Sequence, residues 1–179
     1  MKKLLPILFL LIFISCSKEV PSERFDERNG TVYGVNSTLP FTGPFEEYYQ
    51  NGQLKMKGNF KDGKPDGLSE GYYENGVYRG FVTFTKGKEN GPIEEFYTNG
   101  QLNRKGNYKN GLVDGSFLQY FENGQLKTKG NFKDGKPEGI SETYYENGQF
   151  RSRINYKDGE PVGTWEVLDE EGNLVNRYE

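Results

Sequence analysis

Glycine recurs every 24 residues in this chain, at Gly43, Gly67, Gly91, Gly115, Gly139 and Gly163. An Asn-Gly pair keeps the same step at Asn51-Gly52, Asn75-Gly76, Asn99-Gly100, Asn123-Gly124 and Asn147-Gly148, and becomes Glu171-Gly172 in the last copy. A fixed period of this length specifies a stack of like units, each touching only its neighbours, in place of a globule around one pocket. A chain built this way presents an extended surface, which favours binding over catalysis.

Each unit reads as two strands joined at Asn-Gly. A two-residue Asn-Gly turn of type I′ is a strong hairpin signal, because both central residues need positive φ. Centring the turn on Asn51 and Gly52 predicts that Tyr49 faces Leu54, Glu47 faces Met56 and Phe45 faces Gly58. On the other side Tyr48 then faces Lys55, and Glu46 faces Lys57. The copies support this register by exchanging volume across the pair. Phe45, Ile93 and Phe117 stand opposite Gly58, Gly106 and Gly130, whereas Ser69 and Ser141 stand opposite Val82 and Ile154. Close packing penalises both overfilling and voids, so directly opposed residues should compensate in this way.

The units are linked by Gly/Pro turns such as the one from Lys61 to Gly67, repeated in later copies as KDGKPEG and KDGEPVG. Hairpin after hairpin gives an all-β, single-layer antiparallel meander, elongated and without helices. About twelve strands at ~4.8 Å make a ribbon of ~60 Å. Residues 43–179 are expected to hold about five full repeats and a C-terminal cap containing Trp165. Residues 29–42 read as a half-repeat cap at the N-terminal end, with Asn29-Gly30 and Tyr33. The polar stretch 16–28, which contains Pro21, reads as a flexible tether. Hydrophobic residues make up only 33% of the chain while aromatic residues reach 15%, as suits a thin sheet held by rings.

The N-terminus reads as an export signal over residues 1–15. Lys2 and Lys3 precede an apolar run from Leu4 to Ile14, which is too short to span a bilayer. Ser15-Cys16 at its end resembles the lipobox of bacterial lipoproteins, although Phe13 stands where Leu is usual. The resemblance implies lipidation at Cys16, the single cysteine, and hence an exported, membrane-anchored protein. Ser17 after the cysteine implies the outer membrane in an organism with two membranes. Loss of Lys2 and Lys3 moves the formal charge from −3 to −5, which argues against a nucleic-acid partner.

The segments G-PFEEYY-QNGQL, G-SFLQYF-ENGQL and G-ISETYY-ENGQF resemble the bacterial variant of the MORN repeat. The likeness covers residues 29–179, with local departures at Gly71, Val82 and Ile154. It implies a repeat scaffold for protein–protein or membrane-associated contacts, without catalytic activity of its own. Relatives of this type carry labels such as YwqK-type antitoxin. That label suits an exported protein only as immunity to a toxin acting outside the cytoplasm.

Residue chemistry points the same way. Histidine is absent, which removes the commonest general base and metal ligand at neutral pH. Glu46-Glu47 and Glu94-Glu95 are neighbours in a strand, so they face opposite sides and cannot converge as paired catalytic carboxylates. Glu46, Glu94 and Glu142 each face a cation, Lys57, Lys105 and Arg153, as ordinary cross-strand pairs do. One carboxylate per Asp-Gly turn, at Asp62, Asp134 and Asp158, is too few for calcium. No cofactor or metal is expected.

Rings are the candidate site. Tyr49, Tyr73, Tyr97, Phe121 and Tyr145 are expected on the face of Phe45 and Leu54, as packing residues. Tyr48, Tyr72, Phe96, Tyr120 and Tyr144 are expected on the other face beside Lys55, Arg79, Lys127 and Arg151, forming a mixed aromatic and cationic binding face. A protein partner is the leading expectation. A toxin and a cell-wall glycan are the alternatives, the glycan weakened by the lone tryptophan and the long period.

Overall fold

The computed structural model describes residues 25–179, so the expected signal segment and Cys16 lie outside the described residues. Six hairpins follow one another in the sheet. The first pairs Gly43–Tyr48 with Leu54–Lys61, the second Gly67–Tyr72 with Tyr78–Thr85, and the third Lys88–Phe96 with Leu102–Lys109. The fourth pairs Gly115–Tyr120 with Leu126–Lys133, the fifth Gly139–Tyr144 with Phe150–Lys157, and the sixth Trp165–Leu168 with Leu174–Tyr178. These twelve strands lie side by side in chain order in one open antiparallel sheet. Four shorter strands fold back beside them at the connections. The expected meander is therefore the observed architecture.

The N-terminal end departs from expectation. Phe25–Arg28, expected within the tether, is a strand paired with Thr31–Gly34. Phe25 explains it, because its ring packs on Phe41 with centroids 4.8 Å apart, and Phe41 packs on Phe60 at 6.1 Å. Phe45 joins the group at 4.7 Å from Phe60. This cluster covers the start of the sheet, and the Val32 amide donates to the Gly63 carbonyl at 2.9 Å to tie the cap down.

Within each hairpin the expected register holds over the body of the strands. Phe45 is opposite Gly58, Glu46 opposite Lys57 and Glu47 opposite Met56. The exchange of volume extends between hairpins as well as across them. Phe45, Gly58, Ser69, Val82, Ile93, Gly106 and Phe117 form one continuous row, with bulky and small residues compensating along it. A methyl group at Gly58 would sit 2.5 Å from the Ser69 hydroxyl oxygen and 2.9 Å from the Phe45 ring. Ile93 and Ser69, only 4% and 5% exposed, mark where this thin core is deepest. We call this side the packing face.

The tips differ from the expected two-residue turn. The Gly52 amide donates to the Tyr49 carbonyl at 2.9 Å and the Tyr49 amide to the Gln53 carbonyl at 2.8 Å. The loop is thus Gln50-Asn51-Gly52, with positive φ only at Gly52, where it is 83°. This is the three-residue hairpin loop ending in a left-handed glycine. The Asn51 side chain stabilises it, its Oδ1 accepting from the Gln53 amide at 2.9 Å. Beyond the loop the register slips by one, so Tyr48 lies opposite Leu54 and Lys55 is the extra residue of a bulge. The same shift recurs in the other five hairpins. True two-residue turns with both φ positive occur at the opposite edge, as at Asp62 (52°) and Gly63 (73°).

Hydrogen bonds repeated from hairpin to hairpin hold the stack together. Tyr49, Tyr73, Tyr97 and Tyr145 donate their hydroxyls to the carbonyls of Tyr72, Phe96, Tyr120 and Leu168 at 2.7–2.9 Å. Asn51, Asn99 and Asn123 donate their side-chain amides to the carbonyls of Glu74, Glu122 and Glu146. Each of these bonds satisfies a carbonyl of the next tip, where the sheet ladder has ended.

Candidate binding surface

The bulge at each tip decides which side chains meet. Tyr48 and Glu46 lie two apart on one strand and share a face, the Tyr48 hydroxyl donating to the Glu46 carboxylate. Since Leu54 stands opposite Tyr48, the apolar residue of the return strand lands on this ring face. Lys55 is turned to the packing face, where its ammonium meets Glu47 at 2.5 Å. The expected pairing of Tyr49 with Leu54 and of Tyr48 with Lys55 is corrected accordingly.

The same swap runs along the sheet. Tyr72, Phe96, Tyr120 and Tyr144 stand opposite Tyr78, Leu102, Leu126 and Phe150. Ring contacts confirm the shared face: Tyr72 and Tyr78 are 5.5 Å apart, Tyr78 and Phe96 5.7 Å, and Tyr144 and Phe150 5.9 Å. The cations expected beside these rings lie elsewhere. Lys127 is over the Phe121 ring and Arg151 over the Tyr145 ring, each at 5.4 Å, on the packing face. Arg79 lies there too, its guanidinium across Gly71. The candidate face therefore splits, with its five rings on one side and Lys55, Arg79, Lys127 and Arg151 on the other.

Different charges accompany the rings. Glu46, Lys57, Glu70, Phe81, Glu94, Lys105, Leu118, Lys129, Glu142 and Arg153 are successive partners across the sheet, a ladder of alternating sign broken by two apolar residues. The expected opposition of Glu46 and Lys57 holds in the backbone, but the Lys57 ammonium reaches forward to Glu70 at 2.7 Å and lies 5.9 Å from the Tyr72 ring centre. Glu142 is the focus of the ladder. It is 4% exposed and accepts from Lys129, Arg153 and the Tyr144 hydroxyl, at 2.5, 2.5 and 2.7 Å. Its bonds from Lys129, then Tyr144, then Arg153 hold its pKa down at about 2. The same carboxylate, with desolvation the larger cause, pushes the Tyr144 hydroxyl upward.

What this arrangement can do is bind. A row of half-buried rings and aliphatic side chains, flanked by a row of paired charges, offers apolar contact beside fixed polar groups. Among the described residues no group of three or more histidine, cysteine or carboxylate side chains gathers to hold a metal. Reading the sequence in strict alternation missed Leu54, Tyr78, Leu102, Leu126 and Phe150 as members of the ring row. The signal was present, since that register is apolar in five copies and the next is polar in all five.

No match to a curated protein was found. The family of the MORN repeat variant matches four segments, residues 41–62, 89–110, 113–134 and 137–158, which are the first, third, fourth and fifth hairpins of the sheet.

Proposed function

We propose that this chain is a non-catalytic binding scaffold that docks a protein partner along its ring face, exported and held at the membrane by a lipid on Cys16. MORN repeats generally serve protein or membrane interactions, and the four matching hairpins support the scaffold half of this reading. One observation carries the choice of face. Tyr48, Tyr72, Phe96, Tyr120 and Tyr144 line up with Leu54, Tyr78, Leu102, Leu126 and Phe150 into a single apolar row across five hairpins, all partly solvent-accessible. These half-buried rings retain surface to offer a partner. Ion pairs beside the row fix the orientation of a partner more than they add affinity.

The lipid anchor rests on the lipobox-like end of the leader. Metabolic labelling with a radioactive fatty acid tests it, with Cys16→Ser expected to abolish both the label and membrane retention. Docking is tested by isolating the anchored chain from membranes with its partner, before and after Tyr72→Ala and Tyr120→Ala. Loss of the partner supports the ring face. An unchanged set of partners with an intact fold rejects it.

A further inference from the structure

The charge ladder beside the rings has an order that pairing within one chain does not explain. Stabilising the sheet calls only for alternating signs. Phe81 breaks the alternation between Glu70 and Glu94, and Leu118 breaks it between Lys105 and Lys129. Each break leaves two like charges flanking an apolar residue, acids on one side of the middle and bases on the other. Glu94 and Lys105 stand opposite each other at the centre, yet neither forms an ion pair with a described residue. The two breaks are equidistant from that centre, one strand beyond Glu94 and one beyond Lys105. From Glu46 to Arg153 the ladder is therefore its own complement when read in reverse.

We propose that the ring face docks on the ring face of a second copy, related by a two-fold axis running along the strands between Glu94 and Lys105. Such an axis reverses the order of the strands and lays each row on itself. Glu94 of each copy then meets Lys105 of the other, and Phe81 of each meets Leu118 of the other. The Lys57–Glu70 ion pair meets the Lys129–Glu142 pair head to tail. At the ends Glu46 meets Arg153. In the ring row Phe96 falls on Leu102 and Tyr72 on Leu126, apolar on apolar.

Other registers lose this match. A shift by one strand sets like charges together, and a shift by one hairpin sets Phe81 and Leu118 against charges. Two sheets of the same hand pack face to face at ~10 Å. Two rows across these strands cover roughly 650 Å² per copy, so the pair buries about 1,300 Å² in all, the size of a specific interface. Glu166 and Arg177 of the sixth hairpin overhang it and pair with each other. The cap rings stack on Phe60, whose neighbour Phe45 marks the opposite face. The proposal names the partner of the ring face and rests on that reading.

The test expresses two differently tagged full-length chains together and captures one tag from detergent-solubilised membranes. The parent chain should capture its own kind. Glu94→Lys sets base against base twice across the axis, and Lys105→Glu sets acid against acid, so each variant should capture itself at least about tenfold less. Expressed together, the two variants should capture each other at the parent level, because each supplies the charge the other lacks. The proposal is overturned by a parent that never captures itself or by unchanged self-capture in both variants. Failure of the mixed pair, with both variants keeping the parent's circular dichroism spectrum, also overturns it. Capture of a different protein, lost on Tyr72→Ala, with no second copy present, would remove the pairing and leave ring-face docking standing.

Discussion

The hydroxyl of Tyr97 donates to the backbone carbonyl of Tyr120 at 2.8 Å, joining the tip of the third hairpin to the strand that leads into the next. Four tyrosines make this bond, each to the carbonyl 23 residues ahead. Phe121 occupies the equivalent place in the fourth hairpin and has no hydroxyl to give. Tyr97→Phe should therefore cost about 1 kcal/mol, and Phe121→Tyr should gain about 0.5–1 kcal/mol by reaching Tyr144. Thermal and urea unfolding of both variants checks the opposite signs.

Two glycines in the volume-exchange row should respond differently to alanine. At Gly58 a methyl meets Phe45 and the Ser69 hydroxyl at under 3 Å, whereas at Gly130 its nearest neighbour, the Ser141 hydroxyl, is 3.2 Å away. Gly58→Ala should destabilise by about 1–3 kcal/mol through overpacking. Gly130→Ala should be close to neutral, with a gain of up to ~1 kcal/mol from a stiffer unfolded chain. Equal losses at the two sites would contradict the packing described.

Lys86 holds a φ of 52° in a turn where the other copies place Asp62, Asn110, Asp134 and Asp158. Asn and Asp tolerate that conformation better than a long side chain does. Lys86→Asn should raise stability by about 0.5 kcal/mol, read as an upward shift in melting temperature with no change in the spectrum of the fold.

Glu142 should give the sheet an acid-sensitive joint. Its folded pKa of about 2 lies below the ordinary value of 4.5, so its stabilisation is complete above pH ~5 and is lost as pH falls toward 2. Glu142→Gln should lose stability at neutral pH, because Lys129 and Arg153 no longer have their carboxylate. The gap between variant and parent should then narrow on acidification. Urea midpoints measured from pH 7 to pH 2.5 test both parts.

The sequence made the body of each hairpin legible because volume is exchanged visibly across Phe45 and Gly58 and across Ser69 and Val82. It hid the bulge, because Asn-Gly suits either a two-residue turn with two positive φ values or a three-residue loop with one. Deciding between them requires weighing which pairing puts like with like. Tyr48 beside Leu54 and Tyr72 beside Tyr78 is apolar on apolar, whereas the alternative sets rings against Lys55 and Arg79. Asp62-Gly63 carries the same ambiguity at the other edge, and there the two-residue turn forms. The cap at Phe25 was hidden for another reason. One ring in a polar stretch has no periodicity, and its partners Phe41 and Phe60 come from distant segments.

The central claim is that the rings, separated by the bulge from the cations, form the docking face. Placing the photoreactive amino acid p-benzoylphenylalanine at Tyr120 or at its strand neighbour Gln119 samples opposite faces of the fourth hairpin, since Tyr120 lies opposite Leu126 and Gln119 opposite Thr128. Illumination of membranes carrying the full chain should crosslink a discrete protein from position 120 and little from position 119. Equal or stronger crosslinking from position 119 would contradict the account.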